Sequence, residues 1–505
     1  MADQESDNTT EIKRLVVVSN RLPIVFVKGD SDDWHIEPGA GGLITALAPI
    51  LKNRGGLWIG WSGISTRINL EKLLQATNHD TGYSLKPVNL TEEEIDKYYF
   101  GFSNEIIWPL FHDLPSRCNF DATYWDVYQK VNLKFSQIIA QSTESDDYIW
   151  VQDYHLMLIA KDLRSLGIKR KIGFFLHTPF PQLDIFVKLP WRFQILRALL
   201  EYDLIGFQTL RDRRNFTQCL RFLIRDIRVQ GTGSVATIKL GEREIRVGNF
   251  PISIDFNAII NQATSHEVSD GAWYIHEYYP QRKIILGVDR LDYTKGIPWR
   301  LKAFKRALER FPELQRKITL VQIVVPSRED IPEYNSLKHE IDCLVGEING
   351  RFTQLNWVPI HYIFRNFEKN ELLAYYRTAE VALVTPLKDG MNLVAKEYCT
   401  CKLEDDGVLI LSEFAGAAAQ LQTGALLVNP YDSEGIAEAI YHAITMKKEE
   451  QRARMIKLRR SIRKNNIFWW VNGFLHAAIA KNLDNFPPFE FYVPSECENH
   501  DDEFR

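Results

Sequence analysis

Cysteine is scarce in this sequence. Among 505 residues there are 6 cysteines, Cys118, Cys219, Cys343, Cys399, Cys401 and Cys497, at irregular spacings. That pattern excludes a disulfide framework and points to a reducing cytosol. An excess of positive charge is also missing. Lys and Arg number 61 against 65 Asp and Glu, a balance of 61 − 65 = −4. Nucleic-acid binding leaves a basic footprint, so no such partner is expected. Long hydrophobic runs are absent too, and none approaches the about 18 residues of a membrane helix. The opening MADQESDNTTEIKR is polar and lacks the apolar core of a secretory signal. There is no Walker loop, no H-E-x-x-H and no zinc-type cluster. Cys399-x-Cys401 falls in a helical pattern with no partner pair and reads as packing. Asp30-Ser31-Asp32 has the D-x-D spacing of some metal sites, but it sits in a polar turn rather than behind an apolar strand. No metal and no cofactor are therefore expected.

What the chain does have is a long series of short β-branched runs. LVVV (15–18), LWIGW (57–61), YIWV (148–151), KIGFFL (171–176) and DLIGF (203–207) form a first group. KIILGV (283–288), ITLVQIVV (318–325), VALVT (381–385), VLIL (408–411) and ALLV (425–428) form a second. Near-continuous apolar runs suit strands buried on both faces, hence parallel sheets. Helical patterns lie between them, at 434–446, at 452–464 and at 43–51, where Leu43, Leu47, Ile50 and Leu51 share one stripe. Alternation of strand and helix predicts α/β architecture with doubly wound parallel sheets. A polar-turned hairpin over 231–250 and the segment PISIDF precede the second group, which puts a seam near residue 255. The expected division is a tail at 1–13, an N-terminal Rossmann-like domain at 14–255, a C-terminal one at 256–485 and a tail at 486–505. The final apolar segment FWWVNGFL is expected to pack back across the seam. Ligands of open α/β sheets bind beyond the carboxyl ends of the strands, and two such edges facing each other make an interdomain cleft for two substrates.

Strand-to-loop junctions hold the candidate chemistry. DRLDYTKG follows KIILGV and carries Arg290 and Lys295, cations suited to a pyrophosphate and its developing charge. By spacing alone they are equally compatible with two solvated surface cations. PLKDGMNLVAKEY follows VALVT, so Asp389, Gly390, Met391, Asn392 and Leu393 sit at a helix start. Glu397 follows about two helical turns after Asp389 and suits a ribose diol. The same residues also describe an Asp-Gly turn before an ordinary helix. GAGGL (39–43), with Gly42, feeds a helix N-terminus but is no dinucleotide fingerprint. In the first half, Asn20 and Arg21 follow the first strand, Asp153 and His155 follow YIWV, and His177 follows its own strand. Ionisable groups gathered at neighbouring strand ends favour a site over structural histidines. Trp61, Tyr99 and Trp108 suit a sugar platform or core packing alike.

In combination, VSNRLP, GWSG, SNEIIWPLFH, DYHL, HTPFP, DRLDYTKG, PLKDGMNLVAKEY and SEFAGAA resemble the trehalose-6-phosphate synthase family. These are the family-twenty retaining glycosyltransferases of the two-Rossmann-domain, GT-B type. The resemblance covers roughly residues 14–480 in the family's order and spacing. It implies a donor nucleoside diphosphate glucose, usually UDP-glucose, held by the second domain. Arg290 and Lys295 would clamp the diphosphate, with Gly42 close by. Asp389 and the backbone at Gly390, Met391, Asn392 and Leu393 would hold glucose hydroxyls, and Glu397 the ribose. Asp153 and His177 would face the transferring glucose. The implied acceptor is glucose-6-phosphate, with Arg21 and Arg328 on its phosphate and Trp61, Tyr99, Trp108 and Asp153 around its sugar.

The resemblance implies a cytoplasmic, metal-independent glucosyltransferase making α,α-trehalose-6-phosphate and UDP. A homo-oligomer is left open. No D-x-D-x-T phosphatase module is seen, so a separate phosphatase would act downstream. The sequence departs from the family pattern at two places: Gln152 stands where His is more usual, and Ser253 where Gly is more usual. Two rivals share these motifs. One is a glucosylglycerol-phosphate synthase using glycerol-3-phosphate, which would not need three pocket aromatics. The other is a catalytically silent regulatory subunit, against which an intact Arg290, Lys295, Asp389 and Glu397 argue.

Overall fold

A computed structural model of the chain describes residues 14–28, 34–39, 44, 47, 48, 51, 52, 55–65, 74, 82–231, 233–327 and 332–480. Gly42, Arg328 and Asp30–Asp32 lie outside the described residues, as do both expected tails. The chain divides into two compact units. Among the described residues, the first spans 14–257, 388–393 and 463–480, and the second spans 258–387 and 394–462.

The first unit is built on β1 (Arg14–Arg21), β4 (Leu57–Trp61), β5 (Ser84–Val88), β6 (Asp147–Gln152), β7 (Ile172–Phe175), β8 (Leu204–Phe207), β9 (Ile227–Gln230), β10 (Val235–Leu240) and β11 (Arg243–Asn249). Their order is β5-β4-β1-β6-β7-β8-β11-β10-β9. Pairing is parallel from β5 to β11, and the hairpin β10–β11 and the edge strand β9 run antiparallel. A separate antiparallel ribbon joins β2 (Ile24–Lys28) to β3 (Trp34–Pro38). The apolar runs behave as their composition requires. Every residue of β4, β6, β7 and β8 is buried. The hairpin turns at Gly241, whose φ of 58° suits a residue without Cβ.

The second unit contains β12 (Lys283–Arg290), β13 (Ile318–Val325), β14 (Ile360–Phe364), β15 (Val381–Val384), β16 (Val408–Ser412) and β17 (Leu426–Val428). Their order is β14-β13-β12-β15-β16-β17, with every pairing parallel. That is the doubly wound 3-2-1-4-5-6 order, and β5-β4-β1-β6-β7-β8 repeats it in the first unit. Each order reverses once, between β1 and β6 and between β12 and β15, and such switch points are where open α/β sheets take ligands.

Five strands, β2, β3, β5, β9 and β14, have no counterpart among the runs and the hairpin read from the sequence. In β5, SLKPV, Pro87 interrupts the pattern, as a sheet edge tolerates. In β14, IHYIF, four of five residues are only half-buried because it too is an edge. The segment carrying Tyr99 folds as a π-helix over Ile95–Ile107, a form with no sequence period of its own. It continues into a short helical turn at Trp108–Phe111.

The C-terminal helix Ile467–Ile479 belongs to the first unit. Its Trp470 and Phe474 pack on Trp150 at 5.0 and 4.4 Å between ring centres. Glycines make room for it, since a Cβ on Gly206 would lie 2.8 Å from the Phe474 ring. Leu47 and Leu51, from the expected helix at 43–51, are buried.

Candidate active site

The first unit's switch point is the end of β1 beside the end of β6. A bulge between Val18 and Arg21 shifts the register so that Arg21 pairs with Trp61 of β4. The Arg21 guanidinium then stands 4.4 Å over the Trp61 ring and 5.5 Å from the Tyr99 ring. Trp61 and Tyr99 are 5.8 Å apart. Neighbouring groups fix this corner: Tyr98 donates to Asn20 Oδ1 at 3.0 Å, and Trp58 donates to Ser19 Oγ at 2.7 Å. Arg21 itself remains exposed. Trp108 joins through a chain of rings: Tyr99 stacks on His155 at 6.0 Å, His155 on Tyr154 at 4.0 Å, and Tyr154 lies 5.9 Å from Trp108. The three predicted aromatics and the predicted arginine therefore share one aromatic wall, which His155 and Tyr154 complete.

Asp153 follows β6 directly. Its backbone has φ 70° and ψ 170°, a region almost reserved for glycine. The conformation turns its carboxylate to accept from the His177 backbone N–H at 3.1 Å. Burial raises the Asp153 carboxyl to about 6, against the lowering effect of backbone N–H groups from Tyr154, His177 and Thr178. His177 is 4% exposed. Its Nε2 lies 2.9 Å from Gln152 Oε1 and its Nδ1 3.3 Å from Gln208 Nε2. Burial lowers the imidazole to about 3, so it is neutral at physiological pH. Gln208 sits just past β8 and obeys the same strand-end rule as the predicted residues, although it carries no charge to draw notice.

The segment 388–393 belongs to the first unit. Lys388 pairs with Asp113 Oδ2 at 2.5 Å. Asp389 Oδ1 accepts from Met391 N at 3.0 Å, and its Oδ2 accepts from Asn392 Nδ2 at 3.3 Å. Asn392 takes φ 66°, and the helix Leu393–Cys401 starts directly after it. A Cβ on Gly390 would lie 2.1 Å from the His177 carbonyl oxygen, so only glycine fits there. The structure thus brings Asp153, His177, Asp389 and Gly390 into one neighbourhood.

In the second unit, Arg290 ends β12 and is exposed, while Lys295 closes the turn Tyr293–Lys295. Asp292 caps that turn by accepting from Thr294 N at 2.9 Å and from its hydroxyl at 2.8 Å. Gly296 follows with φ 67°, and a Cβ there would lie 2.6 Å from the Thr385 carbonyl oxygen. Beneath the turn lies a fully buried arginine, Arg300. It pairs with Asp289 and donates to Thr385 Oγ1 at 3.0 Å and to Gln322 Oε1 at 3.2 Å. Nothing in the sequence distinguishes Arg300 from its solvated neighbours on the same helix. Glu397 lies one turn into its helix, where Tyr376 donates to it at 3.4 Å and burial raises its carboxyl. Cys399 and Cys401 are buried, and burial pushes both thiols up. Among the described residues, no group of three or more His, Cys, Asp or Glu is placed to hold a metal ion.

The sequence profile of glycosyltransferase family 20 matches residues 13–480. A trehalose-6-phosphate synthase of Mycolicibacterium vanbaalenii is 41% identical over 471 residues, 92% of this chain and 96% of that protein. Among solved structures, the UDP-forming α,α-trehalose-phosphate synthase of Burkholderia xenovorans in complex with glucose-6-phosphate superposes with a TM-score of 0.83. It is 36% identical, over 92% of this chain and 99% of that one. The trehalose-6-phosphate synthase of E. coli bound with UDP-2-fluoro glucose gives 0.82 at 36% identity, over 93% and 99% of the two chains.

Proposed function

This chain belongs to glycosyltransferase family 20 and has its GT-B fold class, and from that premise we propose that it transfers glucose from UDP-glucose to glucose-6-phosphate, releasing UDP and α,α-trehalose-6-phosphate. The observation that carries the acceptor reading is the Arg21 guanidinium seated over Trp61 and Tyr99. A cation beside an aromatic wall suits a sugar bearing a phosphate, because the C–H face of a pyranose stacks on rings while the phosphate takes the charge. Arg328 joins Arg21 on that phosphate, and Trp108 and Asp153 complete the sugar pocket. On the donor side, Arg290 and Lys295 neutralise the diphosphate, assisted by Gly42. Asp389 and the backbone at Gly390, Met391, Asn392 and Leu393 hold the glucose hydroxyls, and Glu397 holds the ribose.

The anomeric configuration is kept, as α-glucose of the donor becomes α-glucose of the product. A double displacement would need a carboxylate nucleophile near the anomeric carbon. We favour transfer on one face through an oxocarbenium-like transition state, in which the departing phosphate takes the acceptor's proton. The protein then has to hold both substrates in line and stabilise the leaving diphosphate. Arg290 and Lys295 carry that second task with no metal in their place. The five described cysteines are all free, which fits a cytosolic location.

One assay separates this reading from its rivals: UDP release from UDP-glucose is measured with glucose-6-phosphate, with glycerol-3-phosphate and with neither. Release with glucose-6-phosphate alone is expected. Release with glycerol-3-phosphate only, or with neither, overturns it. Lys295→Ala is expected to lower turnover by about tenfold or more while the circular dichroism spectrum is kept. Unchanged turnover in that variant removes Lys295 from the clamp.

A further inference from the structure

His177 is the one imidazole among the candidate catalytic groups, and its hydrogen bonds can be followed in a fixed direction. The start is a backbone group. Ile252 N–H donates to Gln208 Oε1 at 2.9 Å. A carboxamide has one oxygen and one NH2. With the oxygen committed to Ile252, the Gln208 NH2 must face His177 Nδ1, 3.3 Å away. Nδ1 is therefore an acceptor and carries no proton. A neutral imidazole has one ring proton, which then sits on Nε2 and is donated to Gln152 Oε1 at 2.9 Å. The Gln152 orientation is dictated in turn, since its NH2 facing that proton would set donor against donor.

We propose that Gln208 and Gln152 are positioning residues that clamp the His177 imidazole as the neutral Nε2–H tautomer, so that His177 offers the transferring glucose a fixed, uncharged surface and takes no part in proton transfer. The statement rests on the reading that His177 borders the donor glucose. The surroundings agree with it. The ring lies against Phe175 at 4.7 Å and Trp470 at 6.1 Å, neither of which can accept a proton. The charged groups nearby point elsewhere. Asp153, after β6, accepts from the His177 backbone N–H. Asp212, on the helix after β8, accepts from Phe180 N at 3.0 Å. Asp389 is held by its own turn, and Lys388 is paired with Asp113. Among the described residues no carboxylate is placed on either ring nitrogen, and both nitrogens are occupied by groups that do not titrate.

Why a carboxamide matters follows from the alternatives. A carboxylate at position 208 would accept from Ile252 N–H and from the imidazole together. It would draw the ring proton to Nδ1 and stabilise the imidazolium. Gln208→Glu therefore converts the clamp into a base-strengthening contact with almost no change of shape. Gln208→Met keeps the volume and removes both hydrogen bonds.

The test uses the full chain with 15N-labelled histidine. The His177 resonances, identified by their loss in His177→Ala, are expected to show a bare Nδ1 and a protonated Nε2, unchanged from about pH 5 to about pH 8. In Gln208→Glu, Nδ1 becomes protonated. The kcat of UDP release falls about tenfold to a hundredfold, KM for UDP-glucose changes less, and the pH profile of kcat gains an ionisation absent from the parent. Gln208→Met is expected to lower kcat without that new ionisation. A parent His177 protonated on Nδ1, or a Gln208→Glu enzyme with the parent's tautomer and pH profile, overturns the clamp. A parent with the predicted tautomer but no glucose-6-phosphate-dependent UDP release upholds the clamp and sinks the assigned activity instead.

Discussion

At the scale of single residues, Asp153 carries two conflicts with its surroundings. Its backbone occupies a region almost closed to side chains, at a cost of about 1–3 kcal/mol. Its carboxyl is raised to about 6 by burial. The sign of the second effect is definite. An ordinary aspartate ionises near pH 3.9 when unfolded, so the folded form binds protons more tightly between about 4 and about 6. Its stability contribution is present below that window and is lost as pH rises through it. Asp153→Asn should flatten the pH dependence of the urea midpoint in that window. Asp153→Gly and Asp153→Ala both leave the backbone N–H groups around the carboxylate without their acceptor and should both abolish turnover, but only alanine keeps the backbone strain, so the glycine variant should be the more stable of the two by about 1 kcal/mol. Equal stability of the two variants would show that the strain is not stored there. Asp153 and His177 were legible because ionisable groups directly after apolar runs stand out. Gln208 was not, because an uncharged side chain in the same position gives no compositional signal.

At the scale of elements, the turn between β12 and the helix Ile297–Arg310 shows how a loop is held for chemistry. Asp292 caps it, Gly296 closes it in the left-handed region, and Arg300 with Asp289 supports it from beneath. Gly296→Ala places a Cβ 2.6 Å from the Thr385 carbonyl oxygen at a φ of 67°. The left-handed conformation alone costs about 1–2 kcal/mol. Thermal unfolding should register that loss, and turnover should fall further than stability because Lys295 is displaced with the turn. Full turnover in Gly296→Ala would mean that the turn has slack. The strands with uninterrupted apolar runs were readable because burial on both faces demands that composition. The edge strands β5 and β14 and the π-helix under Tyr99 were not, since an edge needs only one apolar face and a π-helix has no distinct period.

At the scale of the whole molecule, the first unit is completed by chain from far along the sequence. Residues 463–480 belong to it, and Ile467 N donates to the Ile254 carbonyl at 3.0 Å. The C-terminal helix is also tied to β11, where Arg246 donates to the Ala477 carbonyl at 2.6 Å. Trp470 is fully buried against Trp150 and Phe175, whereas Phe468 on the same helix is 38% exposed. Trp470→Ala should cost about 3–5 kcal/mol in chemical denaturation, and Phe468→Ala under about 1 kcal/mol. Equal losses would mean that the helix is not seated by its apolar face.

The sequence by itself determined the class of fold, because runs of Val, Ile and Leu buried on both faces can form little else than parallel strands between helices. It also determined which junctions carry charge and which motifs stand in series, and so the family. Only the tertiary structure decided that Arg21 lies over Trp61, that Gly390 abuts the His177 carbonyl, that Arg300 is buried under the Lys295 turn, and that two glutamines hold one imidazole. The first depends on a bulge in β1, and the others on strand order and local packing that bring together residues from five to more than two hundred positions apart. The opening scarcity of cysteine is consistent with that division. No covalent bridge is needed when two doubly wound sheets supply cores of their own, and the hydrogen bonds that orient His177 come from two neutral glutamines that a charge count does not register.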